Sequence, residues 1–137
     1  MNSFICAIAT DDEKNYTDSH FGDARYYRLY EFTSSSAEYL KIIANTTQQS
    51  EPENHADPGK ASNVVELLNK EDVKVVVANI FGPNIKRIKS KFVCILMDNG
   101  SISKSIPHLL EQFEVICDSW NSGNLREHLN LRKRVEG

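Results

Sequence analysis

Two short runs constrain this chain more than any other feature: VKVVVANI at residues 73–80 and FVCILM at residues 92–97. Both are apolar, the first rich in β-branched residues, and both are closed by turn formers, Gly82-Pro83-Asn84 and Asn99-Gly100. Such runs are too short for a buried helix and read as strands covered on both faces. The segments around them carry helical spacing. Ala61, Val64, Val65 and Leu68 fall at i, i+3, i+4 and i+7, as do Ile106, Leu109, Leu110 and Phe113. Pro107 is expected in a first turn, where its missing N–H costs nothing. Gly82-Pro83-Asn84 opens a short helix with Ile85 and Ile88 facing inward. EVICD at 114–118 predicts a further short strand, and 124–134 a final charged helix.

The first half of the chain is patterned differently. FICAIAT at 4–10 is another buried strand, and YYRLYEF at 26–32 alternates as a half-buried strand does. Ser34-Ser35-Ser36 then turns into a third strand within EYLKIIANTT, which makes an antiparallel meander. QQSEPENHADP at 48–58 is polar and aperiodic and reads as one long loop. Three antiparallel strands followed by alternating helices and parallel strands give an α/β fold with a mixed sheet and helices on its faces, an order that resembles the ribonuclease H-like arrangement. No repeat or internal boundary divides the 137 residues, so a single domain over 1–137 is expected. Right-handed crossovers place the Gly82 loop at the carboxyl end of its strand, where open α/β sheets bind ligands.

Charge narrows the partners. The formal net charge of −3 argues against a general nucleic-acid binder. Acidic residues concentrate in the first 58 positions, while Lys86, Arg87, Lys89 and Lys91 form a basic patch that could meet an anion or simply face solvent. No stretch approaches the ~20 apolar residues of a membrane span, and the N-terminal segment lacks a basic leader, so a cytoplasmic protein is expected. Cys6, Cys94 and Cys117 are widely spaced, form no CxxC pair and fall within apolar runs. They read as small core residues, without a zinc ribbon or disulfide framework.

Two segments could carry chemistry. In HFG, His20 stands between the polar stretch 15–19 and the aromatic strand, with Gly22 at a backbone position suited to unusual torsions. The imidazole is either a ligand or a cap for backbone groups. His55 lies in the polar loop, where it could approach His20. His108 and His128 read as surface residues, and no HxxxH or HExxH pair supplies a self-sufficient zinc site. In IFGPNIKRIK, a glycine-proline turn opens a helix whose first N–H groups could hold an anion. Neither a Walker loop nor GxGxxG is present. Asp11, Asp12, Glu66 and Asp98 are the carboxylates available to a metal-dependent nuclease, and no GxSxG elbow exists.

IATDD near the start, HFGDARYYRLYEF and ANIFGPNIKRI together resemble the dinitrogenase iron-molybdenum cofactor biosynthesis family, which includes NifX-like proteins and NifB-type C-terminal domains. The resemblance covers a core of about residues 4–113 and leaves 114–137 as a C-terminal extension. It implies a ribonuclease H-like fold and a non-enzymatic protein that binds or carries an iron-sulfur or iron-molybdenum-type cluster, or its precursor, among metal-cofactor assembly partners. The expected cofactor-binding positions are His20, Phe21, Gly22, Gly82, Pro83, Asn84 and Lys86, with His20 and His55 as metal ligands. The alternative is a metal-free module that binds a small anion or a protein partner at the same mouth. The oligomeric state is left open.

Overall fold

Every residue of strand β1 (Ser3–Thr10) from Cys6 onward is buried, because the strand is paired along both edges and covered on both faces. On one edge it runs antiparallel to β2 (Tyr26–Thr33), in unbroken register from Ser3↔Thr33 to Thr10↔Tyr26. On the other it runs parallel to β4 (Val73–Ala78), with Ile8 level with Val77. β3 (Ala37–Ala44) extends the meander beyond β2, while β5 (Val93–Leu96) and β6 (Leu129–Asn130) continue the parallel side. The computed structural model describes residues 1–49 and 58–132, and in it the six strands form one sheet in the order β3-β2-β1-β4-β5-β6. The mixed α/β class expected from the sequence is therefore found, with the meander and the alternating half joined through β1.

Helices cover both faces. Phe4, Cys6, Ile8, Val75, Val77, Val93 and Ile95 point to one side, where they meet α3 (Ile102–Glu111) and α4 (Phe113–Asn121) through Ile102, Leu109, Phe113 and Ile116. Ala7, Ala9, Tyr27, Leu29, Val76 and Cys94 point to the other. There Val64 and Leu68 of α1 (Pro58–Asn69) and Ile88 of the single-turn α2 (Ile85–Ile88) complete the layer. Burying side chains of this size is worth about 1.5–3 kcal/mol each, which makes the two-faced sheet the main source of stability.

The C-terminal third departs from the sequence reading. Residues 114–118 are helix, not strand: Phe113, Ile116, Cys117 and Trp120 fall at i, i+3, i+4 and i+7 and pack on the sheet as one stripe. Pro107 sits in the middle of α3 rather than in its first turn. The expected helix over 124–134 is absent among the described residues. Gly123 takes a positive φ of 83°, a short 3-10 turn follows (Gly123–Leu125), and the chain becomes β6, which pairs Leu129 with Ile95 on the open edge of β5. Residues 133 and 134 of that expected helix lie outside the described residues. The third strand ends at Ala44, before the expected Thr47, and of the polar loop only 48, 49 and 58 are described.

Arg126 explains why this segment folds back. Its guanidinium is buried and donates to the carbonyls of Ser119 (3.2 Å), Trp120 (3.0 Å), Lys89 and Ser90 (both 3.3 Å), over the Trp120 ring at 4.7 Å. These are the final carbonyls of α4 and of the turn after α2, the negative ends of those elements. Arg126→Met removes the donors and leaves carbonyls unpaired. It is expected to lower unfolding free energy by about 2–4 kcal/mol, measured by urea denaturation, whereas Leu125→Ser at a fully exposed position stays within about 0.5 kcal/mol of the parent.

Candidate functional site

Parallel pairing brings the ends of β1 and β4 to the same edge of the sheet, so the loops that follow them meet. The loop after β1 runs from Asp11 to Arg25, and the loop after β4 from Asn79 to Asn84. They are joined by the backbone: Phe21 N–H donates to the Ile80 carbonyl at 2.8 Å, and His20 bridges Ile80 in the parallel sense. The two segments singled out in the sequence are therefore neighbours.

The first loop is held from within. Phe21 is fully buried, its ring 5.0 Å from Tyr27 and 5.2 Å from Phe81, so this residue anchors the loop to the core. The Tyr27 hydroxyl donates to the Phe21 carbonyl at 2.7 Å, and burial pushes its pKa up, which keeps it a donor. The Asn45 amide donates to the carbonyls of Gly22 (3.0 Å) and Ala24 (2.8 Å). In front, Asp11 accepts from the Thr17 hydroxyl (2.7 Å) and the Arg25 N–H (2.9 Å). Asp12 accepts from the Asn15 side chain and from the N–H groups of Asn15 and Lys14, which hold its carboxyl well below the usual range.

His20 and Gly82 make the contact between the loops. Gly82 has φ +78°, and a Cβ there would stand 2.5 Å from His20 Nδ1 and 2.7 Å from Cγ. The imidazole lies directly on the glycine, at the edge of solvent, with Asp23 Oδ2 3.8 Å from Nδ1. Pro83 is exposed, Asn84 precedes α2, and Lys86 is exposed on that helix. The helix is one turn long, and its Ile85 N–H donates to the Gly82 carbonyl at 3.3 Å, so its dipole contributes little toward holding an anion. Lys89 of the basic patch pairs with Glu127 at 2.8 Å.

An open cleft of about 230 Å³ lies against His20, lined also by Asp18, Ser19, Asp23 and Ile80. Asp18 belongs as well to a neighbouring cleft of about 320 Å³, with Asp11, Asp12 and Asn99. Glu66 lines a different cleft, with Thr46, Thr47 and Lys70. Among the described residues, no three His, Cys, Asp or Glu side chains form a metal-holding group, and Asp11 and Asp12 are engaged in loop hydrogen bonds. The carboxylates considered for a nuclease thus do not assemble into a two-metal centre, which requires ions ~3.5–4 Å apart. His55 lies outside the described residues. All three cysteines are buried, Cys6 and Cys117 in one layer and Cys94 in the other, and burial pushes each thiol up, Cys94 to about 12.

This is a mixed-sheet α/β protein with a two-loop mouth at the carboxyl ends of its parallel strands. Residues 2–112 match the family model for dinitrogenase iron-molybdenum cofactor proteins, and the chain belongs to that family. Membership connects it with nitrogenase-type cofactor biosynthesis, and the match contains both loops of the mouth. A comparison with curated proteins gives no match. No helix among the described residues is long and apolar enough to cross a membrane.

Two measurements check this geometry. Gly82→Ala puts a Cβ into the imidazole at a positive φ, so it should cost about 1–3 kcal/mol of stability and shift the His20 ring resonances in NMR spectra. The cysteines should react with an aromatic disulfide reagent at pH 8 only as fast as the protein opens; rapid labelling of the native state would contradict their burial.

Proposed function

We propose that this protein is a non-enzymatic carrier that receives an iron-sulfur-based cofactor or its precursor at the mouth between the His20 and Gly82 loops. The observation that carries the reading is the imidazole laid on Gly82: a nitrogen donor at the sheet edge, fixed by a glycine that leaves room for nothing larger. Nδ1 and Cγ are the ring atoms nearest Gly82, and Asp23 stands on the Nδ1 side, so the ring is oriented from both sides. One donor beside an open cleft suits a cargo that arrives with most of its ligands already in place. It does not suit a bare ion, which needs three or four protein ligands.

The rest of the mouth fits the same role. Phe21 and Gly22 shape the loop through the core and through Asn45, Pro83 and Asn84 form the opposing lip, and Lys86 is the cation nearest that lip in sequence. The strand order β3-β2-β1-β4-β5, antiparallel then parallel about β1, supports assignment to the ribonuclease H-like arrangement. On this reading the protein uses the edge for binding and exchanges its cargo with metal-cofactor assembly proteins in the cytoplasm.

Anaerobic reconstitution with iron and sulfide tests the proposal. Wild type is expected to gain a visible absorption band that survives desalting, and His20→Ala, with an unchanged circular dichroism spectrum, is expected to lose it. Failure of the wild type to retain iron, or equal retention by the variant, would overturn the assignment. Stabilisation by phosphate or small carboxylates without any response to iron would favour the metal-free module instead.

A further inference from the structure

The sheet ends on the antiparallel side at β3, and its exposed centre is self-complementary. Glu38, Tyr39, Leu40 and Lys41 form an uninterrupted run of exposed residues, reading charge–apolar–apolar–charge. Tyr39 and Leu40 are among the most exposed large apolar side chains of the protein, at 50% and 43%. Tyr39 is packed edge-on to Tyr30 at 5.7 Å and beneath the Arg28 guanidinium at 4.5 Å. An exposed aromatic already packed against its own strand neighbours is the kind of residue that anchors an interface.

The register of β3 decides which contact it can make. Two copies related by a two-fold axis normal to the sheet can pair antiparallel only if opposed residues lie on the same face. In a regular strand Glu38 and Lys41, three apart, would face opposite sides. Here the ladder shifts by one residue between Leu29 and Tyr30: Lys41 pairs with Leu29 and Glu38 with Glu31, leaving Leu40 as the extra residue. Leu29 and Glu31 share a face, so Glu38 and Lys41 share it too. Ala37 and Ile42, opposite Phe32 and Arg28, share the other face in the same way.

We propose that β3 is the site of a symmetric homodimer, in which β3 of a second copy pairs antiparallel with Glu38 opposite Lys41 at both ends of the contact and the Tyr39–Leu40 bulge of each copy at its centre. The two sheets become one continuous sheet, and the mouth at the carboxyl ends of the parallel strands remains open. Within one chain Glu38 faces Glu31 across the ladder, a like-charge neighbour that a lysine from the second copy neutralises. Pairing shifted to set Glu38 against Glu38, or Lys41 against Lys41, brings like charges together, so the charge pattern selects the register as well as permitting it. Lys41 also pairs with Glu71 of its own chain at 2.6 Å and remains half exposed.

Sedimentation velocity over a concentration series tests the proposal, with thermal unfolding of each variant as the control for folding. Wild type is expected to pass from monomer to dimer and no further, because a two-fold edge contact closes. Lys41→Glu and Glu38→Lys each set like charges face to face and are expected to weaken the dimer at least about tenfold. The double exchange E38K/K41E restores opposite pairs and should recover most of the association, while Glu71→Gln should leave it unchanged. A wild type that stays monomeric, assembly beyond dimer, single variants that associate as tightly as wild type, or a double exchange no better than the singles would each overturn it.

Discussion

The parallel pairing of β1 with β4 is the constraint on which the rest of the molecule depends. Parallel strands start at one edge and finish at the other, so pairing Ile8 with Val77 forces the segments after Thr10 and after Ala78 to leave from the same place. The return from β4 to β5 must then cross a face, which is what α2 does, and β1 is apolar from Phe4 to Ala9 because helices end up on both of its sides. The Phe21–Ile80 hydrogen bond and the seating of His20 on Gly82 are consequences of that pairing carried one turn further. The antiparallel partner β2 contributes from the other edge: its Tyr27 reaches forward to hold the Phe21 carbonyl.

The mouth shows a division of labour among residues that are adjacent in sequence. Phe21 is spent on the core, Gly22 and Ala24 offer carbonyls to Asn45, and His20 and Asp23 line the cleft. The acids of the first loop also have separate duties. Asp11 and Asp12 tie the loop to itself, while Asp18 and Asp23 line the cleft beside the imidazole. The negative charge noted in the sequence thus serves first to fold a long loop and only then to set the character of the site.

How far the sequence disclosed this depends on the kind of signal. Apolar runs and helical spacing located β1, β2, β4, β5, α1 and the core of α3, because burial writes directly into composition. The segment 114–118 was misread because its apolar residues, viewed alone, suit a short strand; Phe113 before it and Trp120 after it reveal the helical stripe. Nothing local in 124–134 announces β6, which exists because β5 has an edge to fill and Arg126 has carbonyls to reach. In the site, His20 and Gly82 stood out as residue types, but their contact required the topology. Tyr27 and Asn45 were overlooked: Tyr27 is indistinguishable from any aromatic strand residue until its hydroxyl is seen to face a carbonyl, and Asn45 just follows a strand. Position after a strand end was the available hint for Asn45, since such a side chain can reach a neighbouring loop.

One imidazole at the junction of the two loops is proposed to bind the cargo. Electron spin-echo spectroscopy of the iron- and sulfide-loaded protein, prepared with and without nitrogen-15 histidine, addresses it most directly. Modulation from a single histidine nitrogen that changes with the isotope and disappears in His20→Ala is expected. A loaded protein with no nitrogen coupling, or with coupling that persists in the variant, would contradict it.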